Sequence, residues 1–68
     1  MSNTTTIAKN IKKYRKEKGL SQDKLARLAD IAHATIIKIE SSGIQSPTID
    51  TVQKIARALE VTVDDLIK

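Results

Sequence analysis

Apolar side chains recur at intervals of three and four residues from Ile7 to the end of this chain. That spacing places them along one face of an α-helix, whereas a half-buried strand would need strict alternation. Only two glycines and one proline occur among the 68 residues, so few positions would interrupt such helices. The pattern therefore predicts a single all-α domain of five helices with its core between their apolar faces.

Capping residues set the expected ends of most of these helices. Gly19 can take the left-handed conformation that ends a first helix at residues 7–18. Ser21, Thr48 and Thr62 have hydroxyl groups suited to the N-caps of the second, fourth and fifth helices.

The third helix is expected over residues 33–41, after a tight turn at Asp30, because aspartate tolerates the left-handed backbone better than most residues. The polar residues 1–6 are expected to form a flexible arm, which leaves residues 7–68 as the domain. The residues predicted to face the core are Ile7, Ile11, Tyr14, Leu25, Ala26, Leu28, Ala29, Ile36, Ile39, Glu40, Ile49, Val52, Ile55, Ala56 and Leu59.

Composition argues against several classes of function. Without cysteine, the chain has no disulfide, no zinc–thiolate site and no thiol nucleophile, and it has a single histidine, His33. Its apolar runs are too short to span a membrane, and its first residues lack the apolar stretch of a signal peptide. We therefore expect a cytoplasmic protein that is not an enzyme and needs no metal, cofactor, small-molecule ligand or membrane.

The net charge of +4 favours an acidic partner such as nucleic acid. Residues 7–18 hold six basic side chains and one acidic one, and this basic stripe either contacts phosphates or forms a solvated face. Tyr14 is the only aromatic residue, so the chain lacks the stacking surface with which RRM, OB-fold and cold-shock proteins bind single strands.

The second and third predicted helices have the spacing of a helix-turn-helix, since both are short and a turn of about four residues joins them. Ala26 is small enough for the point where the two helices cross. Asp30, four residues later, can turn the chain, and Ile36 can lock the third helix against the second. Each signal is weak alone, but together they predict this motif.

Four segments of the chain carry a resemblance to a known family: GLSQDKLA at residues 19–26, ATIIKIE at 34–40, PTIDTVQKIARAL at 47–59 and VTVDDL at 61–66. In register, they resemble the helix-turn-helix domains of the phage Cro and CI repressors and their bacterial relatives, the XRE group. The resemblance implies a compact five-helix, λ-repressor-like fold. It also implies that the third helix enters the major groove of double-stranded DNA while the second lies across the backbone.

The resemblance further implies a bacterial or phage-encoded transcriptional regulator in the cytoplasm, associated with the nucleoid, with repression favoured. It also assigns two sets of DNA contacts. The residues expected to meet base edges, here called the reading face, are Ala32, His33, Ala34, Ile37 and Lys38. The residues expected to hold phosphates are Ser21, Gln22, Ser41, Gln45 and Ser46, together with the backbone near Thr48. Gln22 is also a candidate for contact with a base edge. The family also pairs an arginine of the first helix with the glutamate that ends the third, here Arg15 and Glu40.

The chemistry of the reading face can be argued from the side chains themselves. Lys38 can donate to guanine O6 or N7, while Ala32 and Ala34 can pack against thymine methyl groups. Ile37 replaces the polar residue usual in the family and can meet a thymine methyl or insert at a base step. His33 can donate or accept, so its base preference stays open.

Other interpretations remain open for the whole chain. Dimers are usual for such domains, and the predicted homodimer surface consists of Val61, Val63, Leu66 and Ile67. The same domain could serve an antitoxin or a restriction–modification controller. A protein-interaction module is the alternative from another class, favoured by Ile37 and by the lack of Lys and Arg in residues 41–46.

Overall fold

The computed structural model describes residues 3–41 and 47–68, with side chains from residue 6 onward. The elements in this part of the chain are five α-helices: α1 (Asn3–Glu17), α2 (Gln22–Ala29), α3 (His33–Glu40), α4 (Ile49–Leu59) and α5 (Val63–Ile67). No strand occurs within these described ranges. The expected all-α, five-helix architecture is therefore confirmed.

The start of α1 differs from the sequence prediction, because this helix begins at Asn3 instead of Ile7. No glycine or proline lies between these two positions, so nothing in the backbone prevents the helix from extending into the threonine run. The end of α1 matches its prediction, since Gly19 has a φ of 69° and follows the last turn.

The predicted N-caps are confirmed by hydrogen bonds. The hydroxyl of Ser21 accepts from the backbone N–H of Lys24 at 3.0 Å, and Thr48 caps α4 in the same manner. Thr62 and Asp65 form a reciprocal capping box at the start of α5. The backbone N–H of Thr62 donates to the Asp65 carboxylate, and this bond lowers the pKa of that carboxyl group.

Two helices end on a non-glycine residue in the left-handed region. Asp30, predicted to turn the chain, has a φ of 58° and follows α2. The next residue, Ile31, donates its backbone N–H to the carbonyl of Ala26 at 2.9 Å, which closes the last turn. Glu60 ends α4 with a φ of 59°, a feature that the sequence did not reveal.

The core lies where α1 packs against α3, α4 and α5, and α2 packs against α3 and α4. Its largest fully buried side chains are Ile11, Leu25, Ile36, Ile39, Ile55, Leu59 and Leu66. The amide of Asn10 in α1 donates to the carbonyl oxygen of Leu66 at 2.8 Å and so ties α5 to the core. No pattern in the sequence indicates this bond between distant residues.

Two predicted core residues lie on the surface instead. Leu28 is 53% exposed because the eight-residue α2 buries only the narrow face that contains Leu25, Ala26 and Ala29. Ile49 is 65% exposed because it is the first residue of α4, and helix side chains tilt toward the N-terminus and therefore past the end of the core.

A third correction concerns the predicted dimer surface. Leu66 is completely buried in its own domain, because α5 packs against α1 and α4. It therefore has no side-chain surface to offer a second subunit. Of the other predicted members, Ile67 is exposed, and Val61 and Val63 are partly buried against the core.

Candidate nucleic-acid interface

The two faces of α3 differ sharply in burial. Ile36, Ile39 and Glu40 are buried against the rest of the domain. All five residues of the predicted reading face are exposed, namely Ala32, His33, Ala34, Ile37 and Lys38. Ala32 is the N-cap residue before α3, and the other four residues are exposed positions of this short helix, which packs against α1 and α2.

The start of α3 lacks a side-chain cap, since its N-cap residue is Ala32. The first N–H groups of a helix have no partner within the helix and carry a partial positive charge. A cap such as serine would occupy one of them. Here the N-terminus of α3 lies beside the reading face with no such hydroxyl acceptor.

A buried ion pair fixes the other end of α3. The Arg15 Nε atom donates to Glu40 Oε2 at 2.7 Å, and Arg15 Nη2 donates to Oε1 at 3.1 Å. The guanidinium also donates to the carbonyl of Leu20 at 2.7 Å, in the segment that joins α1 to α2. This pair, which the family resemblance implied, holds α1, α2 and α3 in one arrangement.

Three of the expected phosphate contacts lie in described parts of the chain and already have hydrogen bonds. Ser21 caps α2, and the Ser41 hydroxyl donates to the carbonyl of Lys38 at 3.1 Å. Gln22 donates from Nε2 to Glu40 Oε1 at 3.1 Å, a bond that no sequence pattern indicates. Gln45 and Ser46 lie outside the described residues, so their roles stay predictions.

An acidic side chain lies beside one end of the reading face. The Asp23 carboxylate in the first turn of α2 is 3.9 Å from His33 Nδ1 and 3.2 Å from Arg27 Nε. The Asp23 carboxylate therefore lies near the start of α3, where it is paired with the Arg27 guanidinium. The predicted base contact at His33 therefore has a carboxylate acceptor close to its ring.

The basic stripe of α1 is largely exposed. Lys9, Lys12, Lys13 and Lys16 lie on the surface, and Lys13 Nζ sits 5.2 Å from the centre of the Tyr14 ring. Lys18, just after α1, pairs with Glu60, and its Nζ atom lies 2.8 Å from Glu60 Oε1. This contact lowers the pKa of the Glu60 carboxyl group.

The described residues contain neither a metal-binding cluster nor a membrane-spanning helix. No group of three or more histidine, cysteine, aspartate or glutamate side chains there could hold a metal ion. None of the helices in the described ranges is long and apolar enough to cross a membrane.

Sequence comparison identifies relatives over most of the chain. The sequence model of the helix-turn-helix family HTH_3 matches residues 11–66. The HTH-type transcriptional regulator SinR of Bacillus subtilis is 38% identical over 61 residues, which cover 90% of this chain and 55% of SinR. An uncharacterized HTH-type transcriptional regulator of Methanothermobacter thermautotrophicus is 43% identical over 49 residues, covering 72% of this chain and 70% of that relative. The chain thus spans about half the length of SinR.

Solved structures of SinR share the fold. SinR in complex with DNA is 37% identical with a TM-score of 0.88, covering 91% of this chain and 98% of that one. The N-terminal DNA-binding domain of SinR from Bacillus subtilis is 36% identical with a TM-score of 0.90, covering 94% of this chain and 93% of that domain. The match over residues 11–66 takes in all of α2, α3 and α4. The chain belongs to the helix-turn-helix family HTH_3, as its four sequence motifs predicted.

Proposed function

We propose that this chain binds double-stranded DNA through α3 in the major groove and acts as a transcriptional regulator. The observation that carries the proposal is the division of α3 into a buried face and an exposed reading face that the fold itself does not use. SinR, a regulator solved in complex with DNA, has the same fold at 37% identity, which supports the proposal.

The reading face divides into chemical parts. Lys38 supplies a charged donor for guanine O6 or N7. Ala32, Ala34 and Ile37 supply apolar surface for thymine methyl groups, and His33 supplies a ring nitrogen. The proposed phosphate contacts are Ser21, Gln22, Ser41, Gln45 and Ser46. Transcription is repressed where the bound site overlaps a promoter. The proposed location is the cytoplasm, because bacterial and phage DNA lies there.

A salt titration tests DNA binding directly. Duplexes that bind the protein are first selected from a random pool, and Kd is then measured by fluorescence anisotropy at several salt concentrations. A groove-binding domain releases counterions, so we expect log K to fall with log salt with a slope of roughly −0.9 for each phosphate neutralised. A flat salt response, or no enriched sequence, contradicts the proposal and favours a protein-interaction module.

A matched pair of lysine variants tests the position of the site. Lys38→Ala should weaken binding to the selected duplex by about 1–3 kcal/mol and relax the preference at one base pair. Lys68→Ala removes the same charge from the end of α5, where Lys68 pairs with Asp64 at 2.9 Å. The second variant should keep the wild-type sequence preference. Equal losses of preference would show that α3 does not read the bases.

Homodimer formation through the C-terminal helix is the second part of the proposal. Ile67 on α5 is exposed, and Val61 and Val63 are partly buried against the core. Dimers of such domains bind two half-sites about one helical turn apart. Sedimentation should show a dimer that Ile67→Ser weakens, whereas a monomer at high micromolar concentration contradicts this part.

A further inference from the structure

The carboxylate of Glu40 serves more than its ion pair with Arg15. Its side chain is only 2% exposed, and Arg15 donates to both of its oxygens. Oxygen Oε1 also accepts a third hydrogen bond, from Gln22 Nε2 at 3.1 Å. One buried group at the end of α3 therefore connects to the first residue of α2, which is an expected DNA contact.

The bond from Gln22 fixes which way its amide points. An ionised carboxylate has no hydrogen to donate, so the amide must turn its NH₂ group toward Glu40. The amide oxygen and the second N–H then remain for other partners. A glutamine that is free in solvent would offer either end of its amide, whereas Gln22 is half-buried and held at one end.

We propose that Glu40 is a positioning residue for DNA recognition, which acts by holding the Gln22 amide in a single orientation. This inference rests on the proposed function of α3. Phosphate oxygens only accept hydrogen bonds, so Gln22 can meet a phosphate only with its second N–H. Its oxygen can accept only from a donor such as the amino group of adenine or cytosine. Arg15, which donates to both oxygens of Glu40, sets the position of the carboxylate.

Because the Gln22 side chain is already ordered before binding, the protein's affinity for DNA should also be higher. Ordering a flexible side chain at an interface costs about 0.5–1.5 kcal/mol, so releasing Gln22 from Glu40 should weaken DNA binding about two- to tenfold.

A double-mutant cycle on DNA binding tests the proposal. Gln22→Ala and Glu40→Gln should each weaken binding to the selected duplex two- to tenfold. The double variant should bind no more weakly than Gln22→Ala, because Glu40 acts through Gln22. Losses that add in the double variant, or a Gln22→Ala variant with wild-type affinity, overturn the proposal. Gln53→Ala, on the exposed face of α4, is the matched control and should bind as the wild type does.

A second measurement does not depend on DNA or on the stability of the Glu40 variant. In the NMR spectrum of the free wild-type protein, the side-chain NH₂ protons of Gln22 should be less mobile and exchange more slowly with water than those of exposed Gln53. Equal mobility of the two amides overturns the proposal.

If no duplex is enriched from the random pool, the proposed function fails. If Lys38→Ala weakens binding but the cycle is additive, only the role of Glu40 fails.

Discussion

Ile37 offers a test of how the reading face recognises DNA. Its side chain is 44% exposed in the free protein, although it lies between two nearly inaccessible residues of the core, Ile36 and Ile39. Burying a whole isoleucine side chain stabilises by about 1.5–3 kcal/mol, so burying the exposed part against a thymine methyl should contribute about 1 kcal/mol. Ile37→Ala should therefore weaken binding to a thymine-containing site about fivefold.

Replacing individual thymines of the selected duplex by uracil isolates the contact, because it removes only the C5-methyl group. At the thymine that Ile37 meets, the loss of one methyl should cost the wild-type protein about 0.8 kcal/mol, or about fourfold in Kd. Ile37→Ala should show almost no further loss there. Leu28→Ala, which removes a side chain of similar exposure from α2, should keep the full uracil effect. Equal uracil effects in wild type and Ile37→Ala at every thymine would refute the contact.

Three further predictions concern stability, measured by urea unfolding. Asp30→Gly should raise the free energy of unfolding by about 0.5–1 kcal/mol, because the left-handed backbone there strains a residue with a β-carbon; a lower value would contradict this. Leu66→Ala should lower it by about 2–5 kcal/mol because the truncation leaves a cavity in the core, whereas a loss under about 1 kcal/mol would contradict the complete burial of Leu66. The folded-state pKa of Asp65 is lowered below its ordinary value of 3.8, so its stabilising effect is present above that pH and is lost as the pH falls through the folded value. As the pH is lowered, the free energy of unfolding of Asp65→Asn should therefore fall by less than that of the wild type. An identical fall in both proteins would contradict a stabilising role of the capping box.

Local chemistry explains why much of the fold was predictable. Ser21, Thr48 and Thr62 cap their helices through bonds that span only three residues, so the relevant atoms are neighbours in the sequence. Asp30 turns the chain because of its own backbone preference. The long-range pair between Arg15 and Glu40 came from the family resemblance, and the structure places it at 2.7 Å.

The missed features depend on packing between elements that are far apart in the chain. Periodicity assigns Leu28 to an apolar face but does not show how narrow a face α2 buries. In the same way, the sequence alone does not show that Leu66 is covered. It is covered because α5 packs against α1, where Asn10 donates to the carbonyl oxygen of Leu66. The bond from Gln22 to Glu40 joins residues 18 positions apart, so no local pattern indicates it.

Chemical protection of the selected duplex tests the central claim most directly. Dimethyl sulfate methylates guanine at N7, an atom that lies in the major groove. If α3 enters that groove, the wild-type protein should protect at least one guanine N7 within the selected site. Lys38→Ala should lose that protection, while Lys68→Ala should keep it. Guanine N7 atoms that stay fully reactive in the bound complex, or protection that survives in Lys38→Ala, would contradict the claim that Lys38 on α3 contacts guanine in the major groove.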